Sequence, residues 1–199
     1  KFLVKLGENS SEIEIDWTEN SGTTFDGGDG TEKDPYIIKT SKHLNLVNSF
    51  PEMHFKLAND IYLNDIENDE NIKEWTPIGD YANNGRVFSG LFDRKGYTIY
   101  GLYISGTKNY QGLFGYLENG QVRNLNISAA DISGDQYVVA ICGYAKSFCS
   151  ITQVVVEDSH ISGVKDIGGI TGYLAESGNI SFCGFSGEIN ATEVRVGGI

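Results

Sequence analysis

The residues equipped for acid–base chemistry are few, and they recur. Asp131-Ile-Ser-Gly, His160-Ile-Ser-Gly and Glu188-Ile-Asn place a carboxylate, an imidazole and a second carboxylate at steps of 29 and 28 residues. If each step is one turn of a repeating unit, the three side chains form a column with the imidazole between two acids. A carboxylate pair is the minimum for glycoside hydrolysis, so one expectation is a polysaccharide-degrading enzyme. The competing account is a charge ladder facing water, because unit charges 4 Å apart in water interact by only about 1 kcal/mol and exposed pairs contribute about 0–1 kcal/mol. The remaining histidines, His43 and His54, do not begin a His-Glu-x-x-His zinc motif, nor does His160, and neither a Gly-x-Ser-x-Gly nor a phosphate-binding Gly-Lys-Ser motif occurs. Asp26-Gly-Gly-Asp29-Gly has the start of a calcium loop without its further acidic ligands. Asp26 and Asp29 are therefore the only metal candidates, set against a plain glycine turn, and no cofactor is expected.

What must position these residues is a repeat. Tyr110-Gln-Gly-Leu-Phe-Gly-Tyr, Val138-Val-Ala-Ile-Cys-Gly-Tyr, Ile167-Gly-Gly-Ile-Thr-Gly-Tyr and a last Val196-Gly-Gly-Ile share one pattern, and Phe88-Ser-Gly-Leu-Phe-Asp reads as an earlier copy. A second half recurs as Ile99-x-x-Leu102-x-Ile104, Val122-x-x-Leu125-x-Ile127, Ile151-x-x-Val154-x-Val156 and Ile180-x-x-Cys183-x-Phe185, at offsets of 23, 29 and 29. Units this short cannot bury an apolar face alone, whereas stacked neighbours share one core, so the chain reads as a solenoid. Leucine-rich repeats have a similar spacing but return through a helix. Here the returns carry glycine doublets and β-branched residues, poor helix material. The expectation is all-β: a right-handed parallel β-helix with coils of about 28–29 residues.

Alternation along a strand then assigns faces. Leu91, Leu113, Ile141 and Ile170 point inward as a column, and Tyr116, Tyr144 and Tyr173 point outward. With coils about 4.8 Å apart, the tyrosines form a ladder that either binds flat sugar faces or a protein, or covers a coil corner by ring packing. Cys183 falls in the column of Leu125 and Val154, which predicts a buried thiol. Cys142 and Cys149 read either as buried thiols or as a disulfide across a turn, and spacing alone does not decide between them.

Composition agrees with many short strands joined by tight turns: 25 glycines, 11 tyrosines and 10 phenylalanines against three prolines in 199 residues. A net charge of −12 repels phosphate backbones and anionic membrane surfaces, which argues against nucleic acid as a partner. No apolar run approaches the roughly 20 residues that span a bilayer, so no membrane insertion is expected. Residues 1–23 hold one alternating strand, Glu12-Ile-Glu-Ile-Asp-Trp17, a flap or the tail of a preceding domain. Residues 24–87 read as a cap and first coil, with one short helix begun by the Thr40-Ser N-cap. Residues 88–199 are the repeats, cut off inside a unit just opened, which predicts a fragment with an open strand edge available for end-to-end contact. The Asn-x-Ser/Thr sequons at Asn9, Asn126, Asn179 and Asn190 carry glycans only in a eukaryotic secretory host.

The glycine-flanked Gly-Leu-Phe-Gly-Tyr-Leu followed by Asn-Gly-Gln-Val-Arg-Asn-Leu, with Ile167-Gly-Gly-Ile-Thr-Gly-Tyr and Gly178-Asn-Ile-Ser-Phe-Cys-Gly, resembles the GLUG motif of bacterial surface and secreted proteins. The upstream Gly30-Thr-Glu-Lys-Asp-Pro-Tyr-Ile-Ile and Trp75-Thr-Pro-Ile-Gly resemble the lead-in to such repeats. Ala140 and Cys142 depart from the pattern. The resemblance implies a stalk or adhesion region of an exported bacterial protein, secreted or on the cell surface, of a kind also found in some immunoglobulin A peptidases. It brings no catalytic residue with it. The expected function is thus a non-catalytic adhesion or presentation module contacting host glycan or protein, through Tyr116, Tyr144 and Tyr173 first and Asp131, His160 and Glu188 second. The alternatives are a polysaccharide-degrading β-helix enzyme and the passive stalk of a larger secreted peptidase.

Overall fold

In a computed structural model, the described residues (24–198 without 69, 94, 95 and 194) form a parallel β-solenoid of about four turns with one short helix segment over its N-terminal end. The strand expected at Glu12–Trp17, the sequon at Asn9 and the final Ile199 lie outside the described residues. Every strand pair is parallel. The long sheet runs through Tyr36–Ile38, His54–Leu57, Leu91–Asp93, Gln121–Ser128 and Ser150–Gly163 to Gly184–Ala191. A second sheet stacks Phe114–Glu118, Cys142–Lys146 and Thr171–Leu174. The third stacks Gln136–Val139, Lys165–Gly168 and Val196–Gly197.

Register converts the sequence pattern into a core. Phe55, Phe92, Val122, Ile151 and Ile180 stand opposite one another in five successive strands, as do Ile99, Ile127, Val156 and Phe185. Ile99, Val122, Ile127, Ile151 and Val156 are fully buried, each contributing about 1.5–3 kcal/mol relative to exposure. Because the side-chain period is two, a slip of one residue would turn a whole column to solvent, so the columns lock the register.

The corners are made without glycine. Asn124, Gln153 and Phe182 occupy one corner at φ 52°, 54° and 55°, and Tyr110, Tyr137, Asp166 and Arg195 another at 59°, 59°, 59° and 84°. A left-handed L-residue costs roughly 1–2 kcal/mol, which the parallel pairing on either side must offset.

The first repeat differs from the alignment made by eye. Ile99 stands opposite Ile127 and Ile104 opposite Ile132, both 28 residues apart, so the 23-residue offset was a misregistration. Leu91 lies opposite Gln121 on the long sheet and does not join Leu113, Ile141 and Ile170, which are all buried. The physical reason is an insertion. Ile78 bridges to Phe114 and Phe88 to Leu117, so these two residues belong to one turn of the second sheet, interrupted by a loop that carries the short helix Tyr81–Asn84. That helix was not expected. The expected one is present as Ser41–Leu46 running into Val47–Ser49, with Thr40 Oγ1 accepting from His43 N at 3.2 Å, and it seats Leu44 and Val47 in the core.

Candidate functional site

The second sheet and its flanking corner build a face of tyrosines. Tyr116, Tyr144 and Tyr173 are in register, with ring centroids 4.8 Å and 5.0 Å apart and planes within 20° and 16°. Tyr81, on the inserted helix, lays its ring over Tyr116 at 4.7 Å. Asp80 caps that helix through Asn83 N, and Gly85 ends it at φ 67°. A second row, Tyr110 and Tyr137, stacks at 5.1 Å and meets the first row edge-on, as Tyr137 does Tyr144 at 5.5 Å and 88°.

Exposure is graded along the face: Tyr116 is 9% exposed, Tyr173 40% and Tyr81 46%. Burial, reinforced by the neighbouring Tyr144, pushes the Tyr116 phenol up to about 12. Burial and adjacent phenols raise Tyr110 and Tyr144 as well. Successive rings in the main row cover one another's faces, so the row shows solvent its edges and hydroxyls. A flat sugar finds no gap between them. The second row was missed in the sequence because Tyr110 and Tyr137 are 27 residues apart while Tyr116 and Tyr144 are 28 apart, and that one-residue slip hides the pairing from a fixed-period scan.

Asp131, His160 and Glu188 stand opposite one another in adjacent strands, with Tyr103 beyond Asp131. They line an open groove of about 350 Å³ together with Glu67 and Asp158. His160 Nδ1 lies 3.5 Å from Glu188 Oε2. Glu188 also accepts from Asn190 Nδ2 at 2.9 Å, and that bond, with His160 second, holds its carboxyl below the ordinary carboxylate range. A general acid needs the opposite shift.

The remaining candidates are engaged in structure. Asp26 pairs with Lys39, and Asp29 accepts from Thr31 N at 2.9 Å and Thr31 Oγ1 at 2.7 Å, which lowers its pKa. Among the described residues no group of three or more His, Cys, Asp and Glu could hold a metal. All three cysteines are free thiols. Cys142 and Cys149 are buried and donate to Tyr144 O and Lys146 O, while Cys183 is half-buried with its sulfur on Ser181 O. His43 Nδ1 accepts from Lys39 N, and burial lowers its pKa.

Known proteins share parts of this chain. Over 110 residues, 53% of the chain, it is 43% identical to a "putative Gly-rich membrane protein" of Evansella cellulosilytica. Over 86% of its length it is 33% identical to a halomucin of Haloquadratum walsbyi. The chain spans only 12% and 2% of those relatives. Among solved structures, a "putative immunoglobulin A1 protease" of Bacteroides ovatus superposes with a TM-score of 0.50 over 82% of this chain and 70% of that one. At 15% identity that likeness establishes the β-solenoid fold alone. No family model matches, so the GLUG likeness stands on the residues themselves.

Proposed function

We propose that this chain is a non-catalytic presentation and adhesion module of an exported bacterial protein. Its parallel columns make a stiff, self-templating rod, and its tyrosine face is the contact surface for a host glycan or surface protein. The observation that carries this reading is the unbroken tyrosine register, which sets a row of phenol hydroxyls and ring edges at one-coil spacing on a single side. Tyrosines of this kind supply apolar area and a hydrogen-bonding tip together. The groove of Asp131, His160 and Glu188 is the second candidate surface. A surface or secreted setting is supported by the relatives' names, one a membrane protein and one a halomucin. The lowered Glu188 speaks against the glycosidase alternative. The passive-stalk alternative draws on the burial of Tyr116, whose ring serves its neighbours more than any ligand.

The test is a screen of the purified chain on arrays of host glycans and surface proteins, beside the triple variant Tyr116→Phe, Tyr144→Phe and Tyr173→Phe. That variant keeps the stack and removes the hydroxyls. Binding by the parent chain that disappears in the variant supports the reading; unchanged binding removes the tyrosine face. No binding by the parent leaves the chain a passive spacer, and turnover of a polysaccharide overturns the non-catalytic assignment.

A further inference from the structure

A second concavity lies where the inserted segment crosses the coil beneath it. The strap Glu74–Gly79 is tied down by Trp75 N to Tyr103 O at 2.7 Å and Ile78 N to Leu113 O at 2.9 Å. The Asn48 side chain clips it from the other side, donating to Pro77 O at 3.3 Å and accepting from Gly79 N at 3.0 Å. Between this strap, the helix that follows it and the 105–111 turn opens a cleft of about 310 Å³, within the range of small-molecule sites. Its walls are held by backbone bonds and a buried amide, so little ordering cost remains for a ligand to meet.

The lining is unlike that of either surface above. Trp75 supplies a buried ring pinned by its Nε1 to Leu113 O at 3.2 Å. Around it stand groups with unused hydrogen-bonding capacity. Glu74 takes only Ser105 N, on Oε1, leaving Oε2. Gln111 spends one Nε2 hydrogen on Asn109 O at 2.6 Å, and its amide oxygen has neither a partner nor full burial. Asn83 gives its amide nitrogen to Asp80 and keeps its oxygen. Lys108 is exposed and forms no ion pair among the described residues. This set is several acceptors, one cationic donor and an aromatic wall.

We propose that the cleft binds one sugar unit of a neutral polysaccharide. A sugar hydroxyl both donates and accepts, so Glu74 Oε2, Gln111 Oε1 and Asn83 Oδ1 can take hydroxyl hydrogens while Lys108 donates to a hydroxyl or ring oxygen. Neutrality follows from charge: Glu74 and Asp80 outnumber Lys108 in the lining, and the whole chain carries −12, so an acidic sugar is repelled locally and at long range. The site is separate from the tyrosine face and does not depend on that face binding anything.

Trp75 makes the test direct, because the chain has two tryptophans and a Trp17→Phe background leaves Trp75 as the sole indole. Its emission is followed during titration with neutral hexasaccharides of glucose, mannose, galactose and xylose, and with oligogalacturonate as the acidic comparator. At least one neutral oligosaccharide is expected to give a saturable shift. That affinity should fall at least tenfold in Glu74→Ala with Lys108→Ala, both exposed positions, and in Gln111→Ala checked for folding by circular dichroism. The triple tyrosine-to-phenylalanine variant should leave the shift intact. Saturation by none of the neutral sugars, a response to oligogalacturonate alone, or unchanged affinity in the cleft variants overturns the proposal. Loss of the shift in the tyrosine variant would overturn it too, moving the ligand to the other face.

Discussion

Tyr144 sits in the middle of the main aromatic row, so its removal measures what the row contributes. Its ring stacks on Tyr116 at 4.8 Å and on Tyr173 at 5.0 Å, and meets Tyr110 and Tyr137 edge-on at 6.0 and 5.5 Å. Each aromatic pair is worth about 0.5–1.5 kcal/mol beyond buried area, so the two stacks alone give about 1–3 kcal/mol. With the lost burial of a half-covered ring, Tyr144→Ala should cost about 2–4 kcal/mol. Tyr144→Phe keeps every ring contact and should stay within about 0.5 kcal/mol of the parent. A double-mutant cycle over Tyr116→Ala and Tyr144→Ala should return a coupling of about 1 kcal/mol. The same cycle between Tyr144 and Tyr62, which stacks on Tyr100 in the long sheet, should be additive. The assay is urea unfolding followed by near- and far-ultraviolet circular dichroism, the two probes checking that the transition is cooperative. If Tyr144→Ala stays within 0.5 kcal/mol, or Phe costs as much as Ala, the stack is an ornament of the fold and the reasoning fails.

Alkaline pH should act on the same row. Unfolded phenols ionise near pH 10 while Tyr116 is pushed up to about 12, so its contribution to stability is complete below pH 10 and is lost as pH rises through 12. Spectrophotometric titration should show a late phenolate that Tyr116→Phe removes. At the Ala129 corner, φ 52°, Ala129→Gly should relieve about 1–2 kcal/mol of backbone strain against about 0.4–1 kcal/mol of extra unfolded-state entropy; a lower melting temperature would contradict that balance. Arg195 donates to Asp166, which is 4% exposed, at 3.0 Å, so Arg195→Met should cost about 2 kcal/mol, seen as faster amide exchange in Lys165–Gly168, and unchanged exchange there would refute it. Burial raises all three thiols, with Cys142 and Cys149 the more enclosed, so a thiol reagent should modify Cys183 first and the other two only on unfolding; a native Cys142–Cys149 disulfide found by mass spectrometry would contradict the free thiols.

The legible part of this fold is the part in which one coil copies another. From Val122 onward the long-sheet columns advance by 29 residues, as in Val122, Ile151 and Ile180, and strand alternation alone put Tyr116, Tyr144 and Tyr173 on the outer side in the positions the structure gives them. Upstream, Phe55 and Phe92 occupy the same column 37 residues apart, and no fixed period reveals that. The matching of Ile99 with Val122 was a local resemblance of aliphatic spacing that ignored how far the chain travels between coils. The corners were opaque for another reason. Asn124, Gln153 and Phe182 share one left-handed conformation without sharing a residue type, because pairing on both sides imposes it, and composition holds no trace of an imposed φ. Ring orientation was equally hidden, since outward placement says which residues meet but not whether their faces remain free.

These limits bear on where function can sit. A coil that copies its neighbour presents the same backbone and spends its side chains on the neighbour, as the Tyr116–Tyr144–Tyr173 faces are spent on each other. Unspent groups arise where copying fails. The insertion that takes the chain out of the second sheet after Ile78 and returns it at Phe88 breaks the repeat, adds Tyr81 to the tyrosine row and leaves Glu74, Asn83 and Gln111 with open hydrogen-bonding positions around a buried indole. Loops held on a rigid scaffold are the usual place for recognition, and here the scaffold's own regularity identifies the loop. Deleting residues 80–87 to restore the copied coil should therefore keep the parallel β circular dichroism signature while abolishing any Trp75 response to neutral sugars. If the shortened chain still responds, recognition belongs to the repeating face after all.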